Sequence, residues 1–508
     1  MSDGSLLELV SRGKKDAYQI QGPQRTWFGS PYERRSPSTR EVRTLFPENP
    51  PRFGQWFDLV IPPDGDVLVD FELRITMPTW LPAPIAAYNT QPAAYNVQVE
   101  SQPFEIYSNE YITTPPQPPL AAPIVVPPAF VQYGWCDGIA NYLIGRWALY
   151  VDNLMILDGY GEFNTWFPDM ETTQMQAPVI HAATGRIQTS NTGALANIQT
   201  NATLPELVFR VPIPGCQRFG YQGGDAGLPL CAFQKQRVYI RVWLMDKTHL
   251  VASSELPHLL GEPDQKGVIA LPLYEFCPAP WGGRRIKVNS SLTDPSGNLW
   301  PRTLTINQMG QPYIYGRCSM LNLDNEARKS MAAQKFEICF RQQRRDDWTV
   351  DAAAFVPGVN YRRLLTINGI FQSLFVGFRS AARVQQNKFT DILPAAGDWL
   401  TQISLNVNGQ DRILSWSPKK LKTLANNTQL ARDVDIALYY LIFGISPEYE
   451  PGGTCNLARC QKAVLNLMFN DVPIDPMTGT RVTYGFAIGL AWNILDIANG
   501  IATLRFSN

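Results

Sequence analysis

Histidine is the side chain best suited to bind a metal or to transfer a proton near neutral pH, and this chain contains three. His181 lies in a polar stretch, whereas His249 and His258 stand nine residues apart. Ligands that share a helix or a strand are separated by about two to five residues, so this spacing fits no metal pair. We therefore interpret all three histidines as surface or structural residues and expect no bound metal.

The charged run 344–347, Arg-Arg-Asp-Asp, places two carboxylates side by side, as a cation site or an acid–base site would. A solvated turn between two strands is the preferred interpretation, because exposed charges gain little from pairing with each other. The glycine-rich run 223–227 could hold a phosphate if a helix began there, but no helical pattern follows it. Serine-hydrolase and nucleotide-binding motifs are absent from the sequence. We expect no catalytic residue and no cofactor, and we predict that the protein is not an enzyme.

The charge composition narrows the choice of partners. Lys plus Arg and Asp plus Glu both number 44, so the 508-residue chain has no net charge. A protein that grips DNA or RNA needs a basic surface, and we expect no sequence-specific binding of nucleic acid. Charged residues make up only 17% of the chain, below the usual share of about 25%. A surface this poor in charge favours extensive contacts with partner proteins.

The sequence also predicts where the chain is made. No signal-peptide pattern opens it, and its longest apolar run, 436–445, has about half the length of a membrane span. These features favour synthesis in the cytoplasm, where cysteines remain reduced. The eight cysteines are scattered without a C-x-x-C pair, and we interpret them as reduced and mostly buried thiols.

Strand patterns dominate the elements that must position these residues. After the turn-forming run 62–65, apolar and polar residues alternate from Val67 to Thr76, as in a strand with one buried face. A hairpin with residues 53–61 is therefore predicted. Further strands are predicted at 144–157, 207–213, 238–245, 313–323, 335–343, 374–378, 403–407, 434–443, 464–469 and 482–494.

Loops and short helices separate these strands. Twelve of the 53 residues in 78–130 are proline, which predicts an extended surface insert, because proline cannot donate to a sheet. Residues 172–203 are polar and without periodicity, and we predict a long loop there. Short helices are predicted after the N-cap Asp324 and from Ser417-Pro418.

Many strands, few helices and long loops predict an all-β fold of two tandem jelly-roll β-sandwiches with long loops and a few short helices. The helix after Asp324 lies between two strand patterns and could link the two. We predict an N-terminal arm at 1–24, a first jelly roll at 25–326 with the insert 78–130, and a second jelly roll at 327–508. No residue-level repeat is visible between the halves.

A series of short motifs runs through almost the whole chain in a recognisable order. The first comprises Leu9, Val10, Gly13, Asp16, Tyr18, Pro23, Thr26, Phe28, Tyr32 and Arg34. The others lie at 71–78, 211–242, 321–332, 407–412, 446–460 and in the closing segment 492–508. Together they resemble the major capsid proteins of nucleocytoplasmic large DNA viruses. The departures are Ala327, Gly453 and Ala458 within the motifs and the long segments 78–130 and 246–312.

The resemblance implies a structural role in a virion. The chain would form a homotrimer, a pseudo-hexagonal capsomer that tiles an icosahedral shell. Its implied partners are neighbouring capsomers, minor capsid and cement proteins, the penton, and a membrane where one lies beneath the shell. Two alternatives remain open: a minor capsid protein of the same fold, and a jelly-roll protein that binds carbohydrate or attaches to a host.

The N-terminal arm is the candidate assembly site. It carries an aliphatic group and three residues that match the family motif, namely Leu6, Leu7, Leu9, Val10, Gly13, Asp16 and Tyr18. Burying the four aliphatic residues would stabilise the ordered arm by about 6–8 kcal/mol of free energy. This is less than the conformational entropy lost when two dozen residues become ordered. The arm therefore needs contacts beyond its own, and we expect it on the inner face of the shell.

Overall fold

In the computed structural model, the described residues are 38–78, 106–107, 133–166, 175–186, 206–215, 227–233, 236–246, 249–253, 268–270, 274–276, 285–287, 303–305, 311–350, 356–380, 384, 400–428, 438–444, 453–470, 474 and 481–506. The predicted arm 1–24 lies outside them. So do most of the insert 78–130 and residues 187–203 of the polar stretch.

Eight strands build the first half of the chain, and in most of them buried and more exposed residues alternate. They are β1 (Ser38–Leu45), β2 (Trp56–Ile61), β3 (Val67–Thr76), β4 (Ile144–Val151), β5 (Leu154–Gly159), β6 (Leu207–Val211), β7 (Val238–Leu244) and β8 (Tyr313–Leu323). These strands pair in two antiparallel sheets with the orders β1-β8-β3-β6 and β2-β7-β4-β5.

Eight strands of the second half repeat this arrangement. They are β9 (Phe336–Thr349), β10 (Asn360–Leu364), β11 (Ile370–Ser380), β12 (Leu400–Val407), β13 (Gln410–Trp416), β14 (Tyr439–Ile442), β15 (Ala463–Phe469) and β16 (Val482–Ala498). Their sheet orders are β9-β16-β11-β14 and β10-β15-β12-β13, the same orders as in the first half when eight is added to each number. Eight antiparallel strands that form two facing four-stranded sheets in this order make up a jelly roll. The predicted fold class is therefore confirmed.

Shorter elements complete the fold. Further short strands are Ile106–Tyr107, Tyr133–Trp135, Leu228–Pro229, Val251–Ser253, Val268–Ala270, Tyr274–Phe276, Arg285–Lys287, Thr303–Thr305, Cys455–Asn456 and Ile501–Leu504. The helices are α1 (Ile139–Leu143), α2 (Ala177–Thr184), α3 (Asn325–Ala333) and α4 (Pro418–Thr428), with 3₁₀ turns at Gly161–Thr165 and Leu230–Ala232. None of the described helices is long and apolar enough to cross a bilayer.

The predicted cap of α3 is confirmed, whereas α2 was not expected. The Asp324 carboxylate accepts a hydrogen bond from the Ala327 backbone N–H at 3.1 Å. The prediction of a loop throughout 172–203 is wrong over α2, which ends at Gly185 with a positive φ of 74°. Its buried side is short and includes Ile180 and His181, and the apolar Val179 lies on its exposed side, so the sequence shows no clear helical period. His181 is thus a buried residue of the first sandwich.

Each sandwich has its own core between its two sheets. Phe71 and Phe209 are fully buried in the first sandwich, and Phe371 and Leu465 are fully buried in the second. The core of the first sandwich also takes in Phe340, Leu495 and Ile497 from β9 and β16. The two sandwiches are therefore packed against each other as well as joined by the chain.

The described cysteines behave as small packing residues. Cys136, Cys318 and Cys455 are buried, and none of the six described cysteines is in a disulfide.

Candidate functional site: the junction between the two sandwiches

The charged run 344–347 lies inside a strand, so its interpretation as a solvated turn is wrong. β9 continues through it and is paired with β16 along its whole length. Asp346 is 5% exposed. Its Oδ1 accepts a hydrogen bond from Arg363 Nη2 at 2.9 Å, and its Oδ2 accepts one from the Thr366 backbone N–H at 2.9 Å. Because Arg363 belongs to β10, this partly buried ion pair ties together the two sheets of the second sandwich.

Arg345, on the opposite face of β9 from Asp346, points out of the second sandwich and meets the first. Arg345 and Arg379, from β9 and β11, both donate to the carboxylate of Glu162. Glu162 belongs to the 3₁₀ turn Gly161–Thr165 that follows β5. Arg345 also pairs with Asp347 through its Nε, at 2.7 Å. One carboxylate of the first sandwich thus holds two arginines of the second.

The environment of Glu162 fixes its charge. Burial acts to raise the pKa of its carboxyl group, but the charges and hydrogen bonds of Arg379 and Arg345 outweigh this effect and lower the pKa to about 2. Glu162 therefore stays ionised at neutral pH and is poorly suited to act as a proton donor. Its role is positional: two charge-assisted hydrogen bonds set the angle of the turn on the sheet.

Aromatic packing surrounds this ion cluster. Phe163 contacts Phe375 edge-on with ring centroids 5.5 Å apart, and Trp166 stacks on Phe486 at 5.6 Å. Phe375 in turn meets Tyr440 at 4.3 Å. Together with Ile488 and Leu490, these side chains form a buried cluster between the sandwiches. The outer face of the sheet β9-β16-β11-β14 is thus an apolar surface that the first sandwich covers.

Amide side chains close the rest of the junction. β5 is an edge strand, and its Ile156 carbonyl accepts a hydrogen bond from Gln342 Nε2 at 2.8 Å. The Tyr160 backbone N–H donates to Gln343 Oε1 at 3.0 Å. Asn493 Nδ2 then donates to Gln342 Oε1 at 3.2 Å. Backbone groups of an exposed edge would otherwise remain open to pairing with another chain.

A cavity of about 690 Å³ borders the ion cluster. Tyr142 and Met245 line it from the first sandwich, and Trp348 and Tyr484 line it from the second. Its arginines 345, 363 and 379 are balanced by Glu162, Asp346 and Asp347. His249 also lines it, whereas His258 lies outside the described residues. Within the described part of the chain, no three His, Cys, Asp or Glu residues are grouped to hold a metal.

Sequence reasoning did not identify Glu162. Its partner Arg345 stands 183 residues further along the chain, and no local pattern marks a contact at that separation. The arm residues Leu6, Leu7, Leu9, Val10, Gly13, Asp16 and Tyr18 lie outside the described residues, so the assembly site they suggest stays a prediction. Of the glycine-rich run 223–227, only Gly227 is described.

Comparison with known sequences gives a short match. No family model matches the chain. The major capsid proteins of Chrysochromulina ericina virus and Phaeocystis pouchetii virus are each 28% identical to it over 105 residues, or 20% of this chain. The matched segment covers 18% and 20% of those proteins, so the chain spans about a fifth of the length of the curated relatives it matches.

Comparison with solved structures extends over almost the whole chain. A chain of the PBCV-1 virus capsid aligns with a TM-score of 0.62 at 15% identity, covering 95% of this chain and 100% of that one. The Faustovirus major capsid protein aligns with a TM-score of 0.55 at 13% identity, covering 96% and 94%. The resemblance predicted from the sequence is confirmed, and the chain has the double jelly-roll fold of the major capsid proteins of large DNA viruses.

Proposed function

We propose that this chain is a major capsid protein, which forms homotrimers that serve as pseudo-hexagonal capsomers of an icosahedral shell. The observation that carries the proposal is the repeat of one strand order in two sandwiches fixed to each other by a buried junction. A trimer of such chains contains six similar sandwiches, and a ring of six similar units can pack with near-sixfold symmetry. Closed rotational symmetry is also the usual arrangement of soluble homo-oligomers.

The junction supports a building role because it makes the chain a rigid block. Glu162 and its two arginines are largely buried, with side-chain exposures of 14%, 17% and 7%. Buried ionic groups tolerate few alternative geometries, since a displaced partner leaves an unpaired charge. If identical contacts are to recur across a shell, each subunit must hold its two sandwiches at a fixed angle.

The proposal extends to the partners and the location. Neighbouring capsomers, minor capsid and cement proteins and the penton would contact the trimer, and a membrane would do so where one underlies the shell. The chain would be synthesised and assembled in the host cytoplasm and would end in the virion. We further propose the limits 25–326 and 327–508 for the two jelly rolls. The four large sheets agree with this division, because none takes strands from both sides of residue 326.

The arm 1–24 is proposed to act after the trimer has formed. Its aliphatic residues would pack beneath the sandwiches against the inner side of the shell or a neighbouring subunit. A chain that lacks 1–24 should therefore form trimers but give fewer or less stable particles. Normal particles from the truncated chain would show that the arm has no assembly role.

The trimer is tested on the full-length recombinant chain by light scattering coupled to gel filtration. We expect a mass of three times 57.0 kDa and a hexagonal outline in negative-stain images. A monomer at all accessible concentrations, or a particle without a hexagonal outline, would contradict the proposed function.

A further inference from the structure

The cavity of about 690 Å³ at the junction has walls from both sandwiches. Ile144 and Gly145 contribute from the start of β4, and Trp348 and Thr349 contribute from the end of β9. Small-molecule sites in proteins have volumes of about 300–1,000 Å³, so the cavity has the size of such a site. A molecule bound there would contact both sandwiches of one chain.

The lining changes from exposed and polar to buried and apolar. Tyr484 is 40% exposed, the side chain of Asp347 is 56% exposed, and Thr349 is also exposed. Ile144 is fully buried, and Phe486 is 3% exposed. The buried part of the lining would remove an apolar group of a ligand from water, while the exposed part would leave a polar group near the solvent.

Hydrogen-bond donors exceed acceptors in this lining. Among the described residues that line the cavity, the charged ones are three arginines and two carboxylates, Glu162 and Asp347. Both oxygens of each carboxylate already accept from an arginine. Arg345 donates through Nε and Nη1, and Arg363 donates through Nη2 to Asp346. Because a guanidinium has five N–H groups, donors remain on both arginines, and the site suits a ligand that brings an acceptor.

Aromatic rings hold these two guanidinium groups in place. Arg363 lies over the ring of Trp348 at 5.2 Å, and Arg345 lies over the ring of Phe486 at 5.9 Å. The N–H groups of a guanidinium lie in its plane, so stacking on a ring leaves them able to donate. A carboxylate is the acceptor that an arginine binds most strongly among common organic groups, since both partners are charged.

We propose that this cavity binds a small amphiphile that has a carboxylate head and an apolar body. The head accepts hydrogen bonds from Arg345 and Arg363, and the body lies against Ile144, Met245 and Phe486. The site belongs to a single chain, so the inference goes beyond the building role and does not depend on the trimer. A ligand that binds only the folded chain stabilises it, and this ligand strengthens the junction because it contacts both sandwiches.

Calorimetric titration of the full-length chain with dodecanoate, below the concentration at which it forms micelles, tests the proposal. Dodecyltrimethylammonium is the matched probe with the same apolar chain and a positive head, and acetate has the head without the chain. We expect one dodecanoate to bind per chain and to raise the unfolding temperature until the site is saturated. The two other probes should bind at least about tenfold more weakly.

A variant at the exposed part of the lining tests the location. Thr349 lies on the same face of β9 as Arg345, because alternate residues of a strand share a face. Thr349→Glu places a carboxylate there, and we expect dodecanoate to bind about tenfold more weakly through repulsion of like charges. The matched control is Thr423→Glu, which changes an exposed threonine of α4 outside the lining and should bind dodecanoate as wild type does. Circular dichroism checks that both variants fold.

Three results would overturn the inference. They are equal binding of the cationic probe or acetate, equal affinity of wild type and Thr349→Glu for dodecanoate, and uptake of many dodecanoate molecules without saturation. The comparison of probes uses the wild-type chain alone, so it decides the matter even if Thr349→Glu does not fold. A chain that forms trimers but binds no dodecanoate would contradict this inference and leave the proposed function intact.

Discussion

The sheets β1-β8-β3-β6 and β9-β16-β11-β14 have the same strand order, yet their outer faces carry different residues. The outward residues of β3 are Asp70, Glu72 and Arg74, whereas β16 presents Phe486, Ile488 and Leu490 to the first sandwich. The apolar face is covered by its own chain as soon as the protein folds. The charged face keeps part of its side-chain surface in water, from 12% at Glu72 to 46% at Arg317, and its acids pair with its own arginines. The difference shows that strand order alone does not determine the chemistry of a face.

The largest expected effect comes from removing the acid that the first sandwich places on the covered face. Glu162→Ala leaves Arg379 buried without its carboxylate, and we expect the free energy of unfolding to fall by about 3–5 kcal/mol. The matched change on the charged face is Glu206→Ala, whose partner Arg74 lies 3.3 Å away and whose side chain is 41% exposed. We expect that change to cost about 0–1 kcal/mol. Urea unfolding of both variants checks the prediction, and equal losses would contradict it.

The junction should also respond to pH through Glu162. The pKa of Glu162 lies at about 2 in the folded chain, against an ordinary value of 4.5. A carboxyl group with a depressed pKa contributes stability above its unfolded value, and this contribution is lost as the pH falls through the folded value. We expect wild type to exceed Glu162→Gln in stability at pH 7 and to lose that advantage progressively between pH 4.5 and pH 2. A difference that is constant across this range would show that the charge of Glu162 is not the source.

The smallest effect tests packing alone. Ile488 is fully buried at the junction, and Ile488→Val should lower the free energy of unfolding by about 0.5–1.5 kcal/mol. Val42→Ala is the matched truncation on the charged face and should change it by no more than about 0.5 kcal/mol. Denaturation midpoints of the two variants check this prediction. A larger loss of stability in Val42→Ala than in Ile488→Val would mean that the charged face is already covered within the chain.

Local chemistry predicted individual elements well. β3 spans Val67–Thr76, the range of the alternating pattern, and α3 begins at the expected Asp324 cap. The turn at Asn408-Gly409 has positive φ at both residues, as that dipeptide indicates. Each of these features depends on residues that are close together in the sequence.

Long-range contacts account for the features that the sequence did not predict correctly. The run 344–347 is charged like a loop, but β16 pairs with it and Arg363 neutralises Asp346, and neither partner is evident from the sequence nearby. The role of Glu162 depends on Arg345 and Arg379, which belong to the other half of the chain. The repeat of the two sandwiches is likewise invisible in the residues, because strand order is conserved between the halves while their side chains differ.

The covalent joining of the two sandwiches has a consequence for the speed of assembly. Six separate sandwiches would have to meet in five successive encounters to close a ring, whereas three chains of the proposed kind need two. Each encounter costs about 4–15 kcal/mol in lost translational and rotational freedom, and the buried junction spares the ring several of these costs. Of the contacts between neighbouring sandwiches around the ring, half lie within the chains and are complete before any two chains collide. Ring closure therefore depends on chain concentration only through the contacts between chains.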